Sequence, residues 1–342
     1  MPSLDIYSQN PGFGMQQLTK AINEIPFTPQ QIANMGIFEP VPVSTTAITV
    51  ENYKGTLALI PNTPRGGVNN YSKRDSRYLR TFQALHLPIT DRIWADEIQN
   101  VRAFGDMNDL QIAETEMTKR LKRMRASVET TVEFNRLSAI HGIILDADGS
   151  TVISNLVTEF GITQTSIDFV LGTSTTEMLT KCTAVRDAIQ VALGAVGTDD
   201  VEVVALCGAT WFDRFVTHPT IKTAYQYYQT VMQQNNPLQQ DLRYKGFTFG
   251  GITFMRYRGA VGGVTFQTAT EANFFPVNVP DVFAQAFAPA DYMETANTPG
   301  LPIYAKQAMD PLMQKYVEIE AQSNPFAFCT RPGVLVKGTT SN

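Results

Sequence analysis

Asp146 and Asp148 stand two residues apart at the end of an apolar run, GIILDADGS at 142–150. A hydrophobic strand that ends on Asp-x-Asp can present the first carboxylate as a nucleophile toward phosphorus and the second as its acid/base partner. GDMNDL at 105–110 adds a second group of acids, of the oxygen-ligand type that holds Mg2+ beside a phosphate. Read together, the two stretches spell phosphoryl transfer through an aspartyl-phosphate.

The elements needed to position these groups argue the other way. A haloacid-dehalogenase-like phosphatase using Asp146/Asp148 needs a buried parallel strand that carries the nucleophile to the end of a sheet. Here the residues before Asp146 belong to a long amphipathic helix, with room for only a short strand. The acidic motif of such enzymes also follows the nucleophile in the chain, whereas GDMNDL precedes it. The stretch IILDADGSTVIS reads more simply as strand, tight Asp-Gly turn and strand. In GDMNDL, Asp106 or Asn108 reads as a helix cap, and Asp109 suits the first turn, where the helix dipole favours an acid. DADGS also lacks the later bidentate Glu of a calcium loop.

The remaining reactive side chains form no constellation. Cys207 in LCGATW sits between a strand and a helix, but no Ser, His and Asp order supports a triad. His141 reads as a helix C-terminal residue, and His86 as a packed or paired strand residue. GAVGGV at 259–264 has no P-loop Lys-Ser/Thr and leads into no helix. With three histidines and three cysteines (Cys182, Cys207, Cys329) and no CxxC, neither a metal centre nor a disulfide framework is expected. The expectation is no catalytic residue, no metal and no cofactor.

The positioning elements themselves are unusual. From Asp106 to His141 there is no Gly or Pro, and Leu110, Ala113, Met117, Leu121, Met124, Val128 and Val132 recur at steps of three and four. Thirty-six residues make a helix of roughly 54 Å, longer than one globular domain requires. On it KRLKRMR places Lys119, Arg120, Lys122, Arg123 and Arg125, and Glu116 is spaced to pair with Arg120 at i, i+4. Before it, TAITVENYKGTLALIP (46–61) reads as a hairpin turning at Lys54-Gly55. A polar tip from Asn62 to Arg80 follows, with Arg65, Lys73, Arg74, Arg77 and Arg80 against one acid, Asp75. YLRTFQALHLPI (78–89) reads as the returning strand. Residues 1–50 hold four formal charges and six prolines. They form an apolar arm with anchors Ile22, Ile25, Phe27, Ile37 and Phe38, a helix over 15–25, and another opening at Thr28-Pro29 and stopped by Gly36. Further on, Thr175–Leu193 reads as a helix with Met178, Cys182, Val185 and Ile189 inward. VEVVALCG is a buried strand, ATWFDRF and TIKTAYQYYQTVM are helices around the His218-Pro219 break, and GFTFGGITFMRYRG is a strand pair. KYVEIEAQ and GVLVKG are strands on either side of SNPFAFCTRP.

Bulk composition fits a chain that covers itself with partners. Charged residues are 17% and hydrophobic residues 43%, and the net charge of −5 argues against whole-protein attraction to nucleic acid. No stretch reaches the length of a membrane span, and the N-terminus lacks the basic start and apolar core of a signal peptide. Arm, hairpin and helix all extend past any core that their own segments supply. They make sense in a tile packed among identical tiles. A DNA-coating protein using the basic helix and loop is the binding alternative.

The sequence closely resembles the lambda-type major capsid proteins of tailed bacteriophages, the phage capsid protein E family. The likeness runs through MGIFEPVPVSTTAITVE, LALIPNTPRGG, ETTVEFNRLSAIHGIILDADGS, FTFGGITFMRYRG, APADYMETANTPGLPIYAKQ and VEIEAQSNPFAFCTRPGVLVK, in order. It implies an α+β fold of the Hong Kong 97 type. The expected parts are an N-terminal arm (1–49), an extended loop (50–100), a peripheral domain (101–173) with the spine helix 106–141 and a β-hairpin, an axial domain (174–300), and C-terminal strands (301–342) returning to the peripheral domain. It implies hexamers and pentamers closing an icosahedral shell, assembled in the bacterial cytoplasm around double-stranded DNA held by non-specific contact. The implied partners are the chain itself, a decoration protein, a scaffold protein and a portal, with no membrane. The loop basics are expected to dock on a neighbouring subunit, with Glu114 and Glu116 as acids to meet them, beside Lys119, Arg120 and Arg123 as further spine-helix contacts.

Overall fold

A computed structural model describes residues 31–54, 76–99, 109–194, 201–222, 246–257, 259–261 and 263–341. The chain divides into two compact units. The described residues of the first are 31–48, 81–99, 109–134 and 285–327; the rest belong to the second.

The first unit is a sheet laid on a helix. Strands Tyr304–Met309, Tyr316–Ser323 and Leu87–Trp94 form a three-stranded antiparallel sheet with Tyr316–Ser323 in the centre. Its register sets Val317 against Ile93, Ile319 against Asp91 and Ala321 against Ile89. Because alternate residues share a face, these six side chains point the same way. The five apolar ones meet the stripe Met117, Leu121, Met124, Val128 and Val132 of the long helix Asp109–His141, and with Ile303 and Ala305 they close one core. Burying each such aliphatic side chain stabilises by about 1.5–3 kcal/mol. The helix covers 33 residues, or about 50 Å, and its last residues, Asn135 to His141, belong to the second unit. The caps expected at Asp106 or Asn108 lie outside the described residues.

The second unit is built on a six-stranded mixed sheet. Its order is Thr165–Asp168, Val336–Thr339, Ala272–Val277, Glu202–Cys207, Ile252–Arg256 and Phe247–Phe249. Glu202–Cys207 is buried on both faces, as a run of apolar residues without alternation requires. Helix Met178–Leu193 turns Met178, Cys182, Val185, Ile189 and Leu193 inward at helical spacing. Helix Ala209–Thr217 presents Trp211 and Phe215, one turn apart. These rings pack with Phe169, Phe254 and Phe274 at centroid separations from 4.2 to 6.5 Å.

Several expectations change. The strand expected over 78–89 is two strands with different partners. Ser76–Gln83 pairs with Ala47–Lys54, whereas Leu87–Trp94 joins the first-unit sheet. The break falls where Ala84 and Leu85 turn their amides to Thr46 and Pro325. The turn expected at Lys54-Gly55, the polar tip up to residue 75, the helix over 15–25, the start at Thr28 and residues 223–232 of the helix after Pro219 lie outside the described residues. PFAFC, read as part of a connection, is a fully buried strand, Pro325–Cys329. It and Phe283–Phe287 pair in a sheet whose edge is Glu39–Pro42. Val336–Thr339, at the C-terminus, joins the six-stranded sheet between Thr165–Asp168 and Ala272–Val277.

Candidate functional site

The acidic hairpin belongs to the second unit. Strands Ile143–Leu145 and Val152–Asn155 pair antiparallel with a bulge at Ile144/Leu145. The long helix stops at Gly142, whose φ of +79° suits glycine and where an added Cβ would lie 3.1 Å from Val157. The Asp146 amide donates to Thr151 O at 2.9 Å and the Gly149 amide to Asp146 O at 2.9 Å, closing the loop. Asp148 is consumed by that loop. Its carboxylate accepts from the Thr151 hydroxyl at 2.6 Å, the Ser150 and Thr151 amides at 2.9 Å each, and the Ser150 hydroxyl at 3.0 Å. The Thr151 hydroxyl first, then the two amides, hold its pKa far below the usual carboxylate range. A carboxylate so stabilised is a poor proton donor or acceptor near neutrality. The strand that leads to Asp146 is three residues long and antiparallel to its neighbour, not a parallel strand delivering a nucleophile.

The other candidates are equally engaged. Cys207 is fully buried, and burial raises its thiol pKa well above the ordinary value. Burial also pushes Cys182 and Cys329 up to about 12. The ring of His141 is 2.7 Å from Gln267 Oε1, and burial, opposed by that hydrogen bond, lowers its pKa. His86 Nδ1 lies 3.0 Å from Asn324 Oδ1 and 2.9 Å from Gln322 Nε2. GAVGGV contributes Ala260–Val261 to a two-stranded ribbon with Val264–Thr265. Among the described residues no group of three or more His, Cys, Asp or Glu could hold a metal ion. No described helix is long and apolar enough to cross a membrane.

The charged side chains of the long helix form the most organised polar site. Arg120 Nη1 donates to Asp91 Oδ1 at 2.9 Å and to Arg92 O at 2.9 Å, and its Nη2 donates to Glu97 Oε2 at 2.6 Å. Arg123 Nη2 reaches Asp91 Oδ2 at 2.8 Å. Glu97 also accepts from the Trp94 amide at 3.2 Å, fixing the start of helix Ala95–Gln99. Burial works against the charge of Arg120, but the Glu97 hydrogen bond and the Asp91 charge outweigh it and raise its pKa. The spacing reading joined Arg120 to Glu116; in the fold Glu116 meets Lys119 at 3.6 Å instead. The signal that finds this site is Asp91, an acid in phase with the apolar Ile89 and Ile93 on the helix-facing side of its strand. Arg125 pairs with Glu129 at 2.6 Å. Four cations of the basic run, Lys119, Arg120, Arg123 and Arg125, thus meet acids of their own chain.

The loop basics are only partly in view. Arg65, Lys73 and Arg74 lie outside the described residues, as do the side chains of Arg77 and Glu114. Arg80 finds a partner in its own chain. Its Nε donates to Glu159 O at 2.8 Å, the last carbonyl of helix Leu156–Glu159, a group without an intrahelical partner. Of the arm anchors, Ile37 and Phe38 are half-buried; Ile22, Ile25 and Phe27 lie outside the described residues. Ile32, which the sequence did not single out, is 1% exposed.

The comparisons with known proteins point to a structural role. The profile of the family described as Phage major capsid protein E matches residues 14–340. The chain belongs to that family. It is 29% identical over 347 residues to the major capsid protein of Pseudomonas phage KPP10, across 95% of this chain and 96% of the relative. It is 25% identical over 361 residues to that of Salmonella phage Felix O1, across 96% of each. In fold it is similar to a protein described as a capsid protein of an E. coli CFT073 prophage, with TM-score 0.58 and 12% identity over 96% of this chain and 99% of that one. The mature capsid of bacteriophage PhiM1 matches with TM-score 0.51 and 9% identity over 93% and 90%. Membership makes the chain a phage major capsid protein, a structural part of the virion, and gives the mixed helix-and-sheet fold its context.

Proposed function

We propose that the chain assembles as hexamers and pentamers into an icosahedral head around double-stranded phage DNA, in the cytoplasm of the bacterial host. The observation that carries this is the family match over residues 14–340, with curated relatives covered end to end rather than in one shared module. In this reading Asp109–His141 is the spine helix. The ribbon of Ala47–Lys54 with Ser76–Gln83 begins the extended loop, and residues 1–49 are the arm. The peripheral domain takes 101–173 with the returning 301–342, and the axial domain takes 174–300. Arg65, Lys73, Arg74 and Arg77 dock the loop on a neighbouring subunit, where Glu114 and Glu116 are the acids offered. A decoration protein, a scaffold protein and a portal complete the set of partners, and DNA is met without sequence readout.

Electron microscopy of the purified full-length chain tests this: closed particles, or discrete six- and fivefold rings, are expected without any added ligand. A protein that stays monomeric at every concentration and ionic strength sinks it. The arm is tested by removing residues 1–30. A wider deletion would strip out the buried Ile32 and the paired strand Glu39–Pro42 and so damage the body itself. The shortened chain is expected to stay folded and fail to close shells; normal shells from it refute the arm's role.

A further inference from the structure

Glu133 is a carboxylate in the first unit's core region, following the buried Val132 and only 2% exposed. Its two oxygens serve two consecutive amides about a hundred residues away. Oε1 accepts from Ile32 N at 2.7 Å, and Oε2 accepts from Ala33 N at 3.2 Å. These amides open the short helix Gln31–Met35, which Gly36 ends at a φ of +62°. The chain then runs as Glu39–Pro42 into its sheet, and the Val43 amide donates to Phe287 O at 2.9 Å. Residues 31–43 are therefore held at both ends, and the end nearer the N-terminus is held by Glu133.

A buried charge is tolerated only where hydrogen bonds replace water, and N–H donors to a carboxylate are among the stronger ones. An apolar residue at 133 would bury as readily, but apolar contact has no direction. Two oxygens on two successive amides fix both the position and the heading of the backbone. Glu129, one turn earlier, shows the other use of an acid on this helix: it pairs with Arg125 of the same helix. We infer that Glu133 is a positioning residue for assembly: it fixes where and in which direction residues 1–30 leave the body, so that every copy presents its arm alike. This rests on the reading that the arm acts between subunits.

The test uses the full-length chain with Glu133→Ala and Glu133→Gln, reading amide hydrogen exchange and shell formation by electron microscopy. Glu133→Ala is expected to speed exchange at Ile32 and Ala33 at least tenfold, leave residues 203–207 at the wild-type rate, and cut the yield of closed shells severalfold. Glu133→Gln keeps the volume and one acceptor and falls between. If the alanine variant also speeds exchange at 203–207, the glutamine variant decides by the same readouts. Unchanged exchange at Ile32 and Ala33 overturns the anchor, and faster exchange with a wild-type yield of shells overturns its role in assembly. Normal shells from the chain lacking residues 1–30 overturn the arm reading instead, which separates the two failures.

Discussion

The first unit joins helix to sheet with aliphatic side chains and lays a charged seam beside them; the second holds its helices against a sheet with a knot of aromatic rings. In the first, Met117, Leu121 and Met124 supply burial, while Arg120 and Arg123 meet Asp91 and Glu97 at 2.6–2.9 Å. In the second, Trp211, Phe215, Phe254, Phe274 and Phe169 are buried together, and an ion pair, Arg256 with Asp213 at 2.7 Å, ties the helix of Trp211 to the sheet. Ring pairs combine large area with preferred geometry, so the aromatic unit obtains energy and fit from the same atoms. Aliphatic side chains slide more easily, and the first unit separates the tasks: methylenes give energy, and the seam sets the register of the strand that follows the hairpin.

The strongest way to break this comparison is to remove the centre of the aromatic knot. Trp211 is fully buried against four rings. Trp211→Ala is expected to lower stability by about 3–5 kcal/mol, as truncating a buried aromatic does, with little dependence on salt. Its indole N–H has no hydrogen-bond partner among the described residues, so Trp211→Phe should cost much less than the alanine change. Chemical denaturation of the two variants in low and high salt measures both. A strong salt dependence of the loss would show that the rings lean on the neighbouring Arg256–Asp213 pair rather than on their own packing.

The same contrast explains how much of the molecule the sequence disclosed. Apolar periodicity marked the faces of Met178–Leu193 and of the long helix from Met117 to Val132, because those side chains have one available interior. The buried run EVVALC and the hairpin around Asp148 were equally plain. Periodicity tells which side of an element is buried, not what lies opposite. Arg120 was therefore assigned to Glu116 on its own helix, when a strand 29 residues away held Asp91. Pro325–Cys329 was missed because Ser-Asn-Pro before it and Thr-Arg-Pro after it are turn signals that leave only a short apolar run between them. Glu133 was missed because a single acid beside an apolar stripe looks like a solvated one, and its partners are backbone amides that leave no trace in residue type.

A smaller effect sharpens the comparison from the other side. Arg120 is 17% exposed and makes three hydrogen bonds. Arg120→Met keeps the stem in the seam and leaves Asp91 with Arg123. Losing hydrogen bonds to charged groups is expected to cost about 1–3 kcal/mol at low salt, and the difference from wild type should shrink toward 1 M salt as screening weakens the wild-type seam. Exchange at the Trp94 and Ala95 amides should rise with it, since Glu97 loses the cation that holds it in place. A salt-independent loss of the same size would mean that Arg120 acts by packing, and the division of labour would fail.

The smallest effect concerns the polar feature of the second unit that resembled an active site. Asp148 is fully exposed, yet the Thr151 hydroxyl and the amides of Ser150 and Thr151 depress its pKa. A group whose folded pKa lies below its unfolded value, about 3.9 for Asp, contributes stability above that value and loses it as the pH falls through the folded pKa. The loop should therefore be indifferent to pH from neutrality down to about 5, then loosen in acid. Asp148→Asn removes that response and leaves a looser loop at every pH, read as faster exchange of the Ser150 and Thr151 amides. The global unfolding midpoint should barely move, because the contacts involved span three residues. Neither this variant nor Asp146→Asn should change hydrolysis of an aryl phosphate with Mg2+, because the wild type should show none. Hydrolysis by the wild type that Asp146→Asn abolishes would return the acidic pair to chemistry; acid loosening that Asp148→Asn abolishes leaves it as the turn that follows a long helix.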